Sequence, residues 1–108
     1  MIKNDQVYLE HILESIGKIE NFIAGLRKAE FDQNVMIQDA VIRNFEIIGE
    51  ATKKISKKFS QEHQEIPWQD MAGMRDKLIH DYLDVDLDVL WKTIEEDLPL
   101  LKKLITSI

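Results

Sequence analysis

Three residues within a stretch of nine, Arg75, His80 and Tyr82 in MRDKLIHDY (residues 74–82), have side chains suited to phosphate, proton and hydroxyl chemistry. An arginine presents a planar fork of N–H donors that matches phosphate oxygens and keeps its charge at any working pH. A histidine titrates near neutrality, so it can take a proton from a hydroxyl or return one to a leaving oxygen. Arg75 and His80 together are the smallest kit for cutting a polyribonucleotide without a metal: activate the 2′-hydroxyl, steady the charged phosphorane, protonate the leaving oxygen. Tyr82, with an ordinary pKa near 10, suits proton transfer poorly.

Geometry restricts this pairing. At about 100° per residue, positions five apart lie about 140° apart around a straight helix. Arg75 and His80 share a face only if the helix unwinds at His80, or if a second copy of the chain completes the site. Other constellations fare worse. His11 and His63 have no partner histidine at zinc spacing. Asp84, Asp86, Asp88 and Glu95 match a calcium loop at its first, third, fifth and twelfth positions, but the obligatory sixth-position glycine is Val89. No metal site and no cofactor are expected. With no cysteine, neither a disulfide nor a thiolate centre is possible.

The elements that must carry Arg75 and His80 read as helices. Tyr8, Ile12, Ile16, Ile19, Ile23 and Leu26 recur at spacings of three and four, which predicts a first helix over about residues 4–29. Asp32 or Asn34 can cap a second, running to about residue 57 with Ile37, Val41, Ile48 and Ile55 as its stripe. Arg43, Glu46 and Glu50 fall together on another face, either as an ion-pair stripe or to orient groups on a neighbour. Gly49 weakens a helix interior by roughly 1 kcal/mol relative to alanine, a cost that makes sense if another backbone approaches there. FSQEHQEIPWQD reads as a connection, Pro67 suits the first turn of a third helix ending near His80, and Asp84 or Asp86 starts a fourth that Pro99 kinks or splits. No stretch alternates as a strand does. The expectation is an all-α, up-and-down bundle of four to five helices forming one domain over residues 1–108.

Composition agrees. The chain of 108 residues is 44% hydrophobic and 31% charged, ordinary for a globular protein, without the apolar run of about 20 residues that a membrane span needs. Its charged start lacks the apolar core of a signal peptide, so a cytoplasmic location is expected. The net charge of −6 argues mildly against coating by nucleic acid, but the charge is uneven. Lys53, Lys54, Lys57 and Lys58 form a basic run that could extend an RNA path, while residues 81–97 hold seven acids and one lysine.

The segment IPWQDMAGMRDKLIHDYLDVDLDVLWKTIEEDLP, with RNFEIIGEATKKIS upstream, resembles the HepT toxin branch of the HEPN superfamily. That branch has an arginine, four residues, a histidine, and a tyrosine two further on, here Arg75, His80 and Tyr82, with Trp68, Gly73 and Met74 also in place. The resemblance covers about residues 35–104. It implies a helical bundle that pairs as a homodimer with both motifs facing one cleft, and a metal-independent endoribonuclease that arrests its own cell. By the same resemblance, Arg75 binds the scissile phosphate, His80 moves protons and Asp76 orients the arginine. A MntA-type nucleotidyltransferase antitoxin would transfer AMP to Tyr82, adding bulk and negative charge at the cleft mouth. The competing expectation is a non-catalytic, nucleotide- or substrate-binding partner of a nucleotidyltransferase.

Overall fold

Asn34, Ser56 and Asp86 each cap the start of a helix with a side-chain oxygen. The computed structural model describes residues 3–81 and 84–108, and of residues 3, 75, 78–81 and 84 it describes the backbone alone. Two long helices, α1 (Lys3–Ile23) and α3 (Val35–Lys53), pack along one another. Asn34 Oδ1 accepts the Ile37 N–H at 3.0 Å and starts α3, so of the two candidate caps it is Asn34 that serves. Ile12, Ile16 and Ile19 of α1 meet a core that includes Val41, Phe45 and Ile48 of α3, all fully buried. Each such side chain stabilises the fold by about 1.5–3 kcal/mol.

The first helix ends at Ile23 rather than near residue 29. Gly25 takes a left-handed φ of 77°, a conformation that terminates helices, and Leu26 N–H closes a turn onto Ile23 O at 2.9 Å. Arg27 is extended, and the Glu30 carboxylate accepts its backbone N–H at 3.0 Å to open α2 (Lys28–Asp32). Phe31 of α2 is fully buried, its ring 5.1 Å from that of Trp91.

The second helix stops at Lys53, and the expected connection contains α4 (Lys57–Glu62). Ser56 Oγ accepts the Phe59 N–H at 3.2 Å and donates to the Asp5 carboxylate at 2.7 Å. Asp5 also accepts the Ser56 N–H at 2.8 Å, and this buried carboxylate ties the start of α1 to the start of α4.

The third helix is two short ones. Pro67 stands at the N-cap of α5 (Trp68–Ala72), Gly73 interrupts, and α6 (Met74–Leu78) follows. The chain then becomes extended: β1 (Ile79–Asp81) pairs antiparallel with β2 (Asp84–Val85), Ile79 opposite Val85 and Asp81 opposite Asp84. Segments of three and two residues are too short for alternation to show in a sequence.

Asp86 opens α7 (Leu87–Lys92), accepting the Asp88 and Val89 N–H groups at 3.1 Å each. Capping therefore accounts for this carboxylate. The helix continues through a π-helical segment, Thr93–Asp97, into α8 (Leu98–Thr106). Pro99 lacks an N–H and its ring crowds the carbonyl four residues back; the wider π turn accommodates it, so the helix changes register where a kink or split was expected. Apart from the β1–β2 pairing the architecture is the expected all-α bundle. Among the described residues no helix is long and apolar enough to cross a membrane.

Candidate functional site

The helix that leads to Arg75 is fixed from three directions. At its start, Trp68 Nε1 donates to His63 O at 2.9 Å, and the Trp68 ring meets Phe59 edge-on at 6.1 Å. Phe59 also lies against His63, ring centres 4.5 Å apart. From below, Met71 and Met74 are buried in the core. On the α3 side Gly49 faces α5, and a Cβ there would stand 3.4 Å from Ala72 O and 3.5 Å from Met71 O, ordinary contact that leaves room for alanine.

Arg75 lies on α6, which packs on α3, and His80 is the central residue of β1. The helix ends at Leu78, two residues before His80. The obstacle posed by a continuous helix, an offset of about 140° between positions 75 and 80, is thereby removed. The side chains of Arg75 and His80, and Tyr82 as a whole, lie outside the described residues. Asp76 is exposed on α6, and Lys77 reaches toward Asp97 of the π segment, Nζ to Oδ2 3.9 Å. Arg43 and Glu50 are exposed on α3 and Glu46 is half-buried there.

Lys53, Lys54, Lys57 and Lys58 are all exposed, grouped at the α3–α4 junction beside the Asp5–Ser56 clasp. The opposite end of α3, about 28 Å away for a helix of 19 residues, is where α2 meets the start of α7. There Lys28 Nζ is 2.8 Å from Asp32 and 2.6 Å from Asp88, and these hydrogen bonds hold its pKa well above the ordinary lysine range. The β1–β2 pair ends at Val85, just before that clasp. The basic run and the strand pair thus occupy different ends of α3. Among the described residues no group of three His, Asp or Glu converges as metal ligands would.

Among the described residues, two clefts flank α5. One, about 320 Å³, is largely apolar and runs between α5–α6 and α8, where Met71, Met74, Leu101 and Leu104 face it. The other, about 400 Å³, is shallow and of mixed character, lined by Ile66, Pro67 and Trp68 as well as by Ser60, Gln61, Gln64, Gln69 and Asp70. Sequence reasoning missed the second, because isolated glutamines at 61, 64 and 69 have no spacing that signals a site until α4 and α5 bring them together.

Comparison with known proteins was consistent with these features. The family described as Ribonuclease HepT-like matches residues 12–108. The chain is similar, at 51% identity over 94% of its length and 93% of the relative's, to a Thermococcus cleftensis protein named "Probable ribonuclease HepT". It is 38% identical to a protein of Caldanaerobacter subterraneus subsp. tengcongensis named as a candidate RNase, over 99% of this chain and 96% of the other. A Methanocaldococcus jannaschii protein, named both as a gamma-glutamylcyclotransferase and as a candidate RNase, is 44% identical over the whole chain, which spans 49% of it. No solved structure matches.

Proposed function

The chain belongs to the HepT-like ribonuclease family, and from that premise we propose that it is a metal-independent endoribonuclease built on Arg75 and His80, acting as the toxin of a toxin–antitoxin pair. The observation that carries the site assignment is the end of α6 at Leu78, which frees His80 from the helix bearing Arg75. In the reaction, His80 takes the proton of a ribose 2′-hydroxyl and the 2′-oxygen attacks the adjacent phosphorus. Arg75 steadies the negative charge on the phosphorane oxygens. The P–O5′ bond breaks, the 5′-oxygen takes the proton that the His80 imidazolium carries, and a 2′,3′-cyclic phosphate remains. Asp76, next to Arg75, is the positioning residue.

The working form is a homodimer whose two motifs face a shared cleft. Control comes from a nucleotidyltransferase antitoxin that moves AMP from ATP to the Tyr82 hydroxyl with release of pyrophosphate. The added phosphate places negative charge two residues from His80 and repels the RNA backbone. Lys53, Lys54, Lys57 and Lys58 serve as a remote basic contact for a longer RNA.

Purified protein should cleave single-stranded RNA in EDTA, and Arg75→Ala and His80→Ala should each lower the rate by about 10²–10⁴-fold while leaving the fold intact by circular dichroism. Intact RNA with the wild type, or undiminished cleavage by both variants, would overturn the assignment. Intact RNA with retained RNA binding would favour the non-catalytic partner subunit instead.

A further inference from the structure

The cleft on the α4–α5 side has a composition unlike a phosphate site. None of its lining residues is a cation, and Asp70 contributes a carboxylate that would repel a phosphate. What the cleft offers is a partly exposed indole, three carboxamides and one carboxylate. Among the described residues, the side chains of Gln61, Gln64, Gln69 and Asp70 form no hydrogen bond or ion pair with the rest of the chain. All four are exposed, while Trp68 is held in place by its bond to His63 O and by Phe59. Rigid aromatic surface next to uncommitted amides is how proteins take up unstacked bases: the ring stacks, and the amides address the base edge.

Its position fits a strand leading to the motif. Trp68 opens α5 and Arg75 lies on α6, which follows it directly after Gly73. We infer that the cleft between α4 and α5 is a nucleobase subsite for a nucleotide flanking the scissile phosphate, with guanine as its preferred occupant. Guanine is the base whose Watson–Crick edge carries two adjacent donors, N1–H and N2–H, which one carboxylate accepts together. Asp70 takes these donors, the glutamine amides donate to O6 and N7, and Trp68 stacks. This inference rests on the ribonuclease reading for its direction along the RNA, but binding of a base there does not require cleavage.

Two measurements separate the readings. The first is fluorescence anisotropy with short 2′-O-methyl oligonucleotides, which lack the attacking hydroxyl, comparing a guanine at each position with an abasic site. The wild type should bind about five- to tenfold more weakly when one particular position is abasic. Gln61→Ala/Gln64→Ala and Asp70→Asn, all on exposed side chains, should erase that difference, Asp70→Asn doing so for guanine more than for adenine. Equal binding of abasic and base-bearing oligonucleotides, or a difference that survives in both variants, would overturn the subsite. The second is mapping of cut positions in a random-sequence RNA. A guanine preference at a fixed offset from the cut should flatten in both variants. Cleavage whose preference is unaltered in the variants would sink the subsite and leave the ribonuclease standing. No cleavage with intact base discrimination would do the reverse.

Discussion

At the scale of single residues, two charged groups mark the ends of α3 and do different work. Asp5 is 1% exposed and accepts both the N–H and the hydroxyl of Ser56. Replacing it by alanine leaves two half-buried donors with no protein acceptor, which should destabilise the protein by about 1–2 kcal/mol in a urea titration. Asp5→Asn should cost less, since the amide oxygen still accepts one of the two bonds. Lys28 is different. Its exposed ion pairs with Asp32 and Asp88 raise its folded-state pKa, so whatever stability they add is complete below the ordinary lysine value and is lost only as pH rises through the raised one. Across the neutral range, Lys28→Met should therefore shift the melting temperature by an amount that salt diminishes and pH leaves unchanged.

At the scale of elements, the junction of α3 and α5 links packing to chemistry. The carbonyls of Met71 and Ala72 sit at contact distance from where a Gly49 side chain would begin. Alanine there gains about 1 kcal/mol of helix propensity and meets Ala72 O at 3.4 Å, so its effect on stability should be small. Valine or leucine must push α5 away, costing about 1–3 kcal/mol, and the displaced α6 should lose RNA cleavage beyond what the fraction unfolded explains. Cleavage that simply tracks the folded fraction would separate Gly49 from the site.

These same elements show how far the sequence could be read. Asn34 and Asp86 act through side-chain bonds to residues within three positions, and Pro67 through its own ring, so their roles at helix starts were visible. The α1 end was not, because Leu26 continues the apolar spacing past Gly25 and only the backbone conformation shows the break. The pairing of β1 with β2 was also hidden, since segments of three and two residues are too short to alternate visibly. Arg75 and His80 stood out by residue type, whereas the base-sized cleft beside Trp68 exists only once α4 folds back.

At the scale of the whole molecule, the question is whether one chain or two make each active centre. The end of α6 at Leu78 removes the barrier to Arg75 and His80 acting within one chain, yet a shared cleft would pair the arginine of one copy with the histidine of the other. Mixing two inactive variants decides between them. In a heterodimer of Arg75→Ala with His80→Ala, a centre built across the two-fold axis has one intact arginine–histidine pair and one doubly defective pair. Equal mixing makes about half the dimers heterodimers, each with one of two centres intact, so about a quarter of wild-type activity should return. A centre built within each chain gives no such return, because every copy lacks one of the two groups. The shared-cleft arrangement predicts recovery that rises with time after mixing as subunits exchange, and that disappears on dilution below the dimer dissociation constant. Silence in the mixed sample, with the wild type active and sedimenting as a dimer, would place each complete site on a single chain and leave the dimer to shape the RNA path alone.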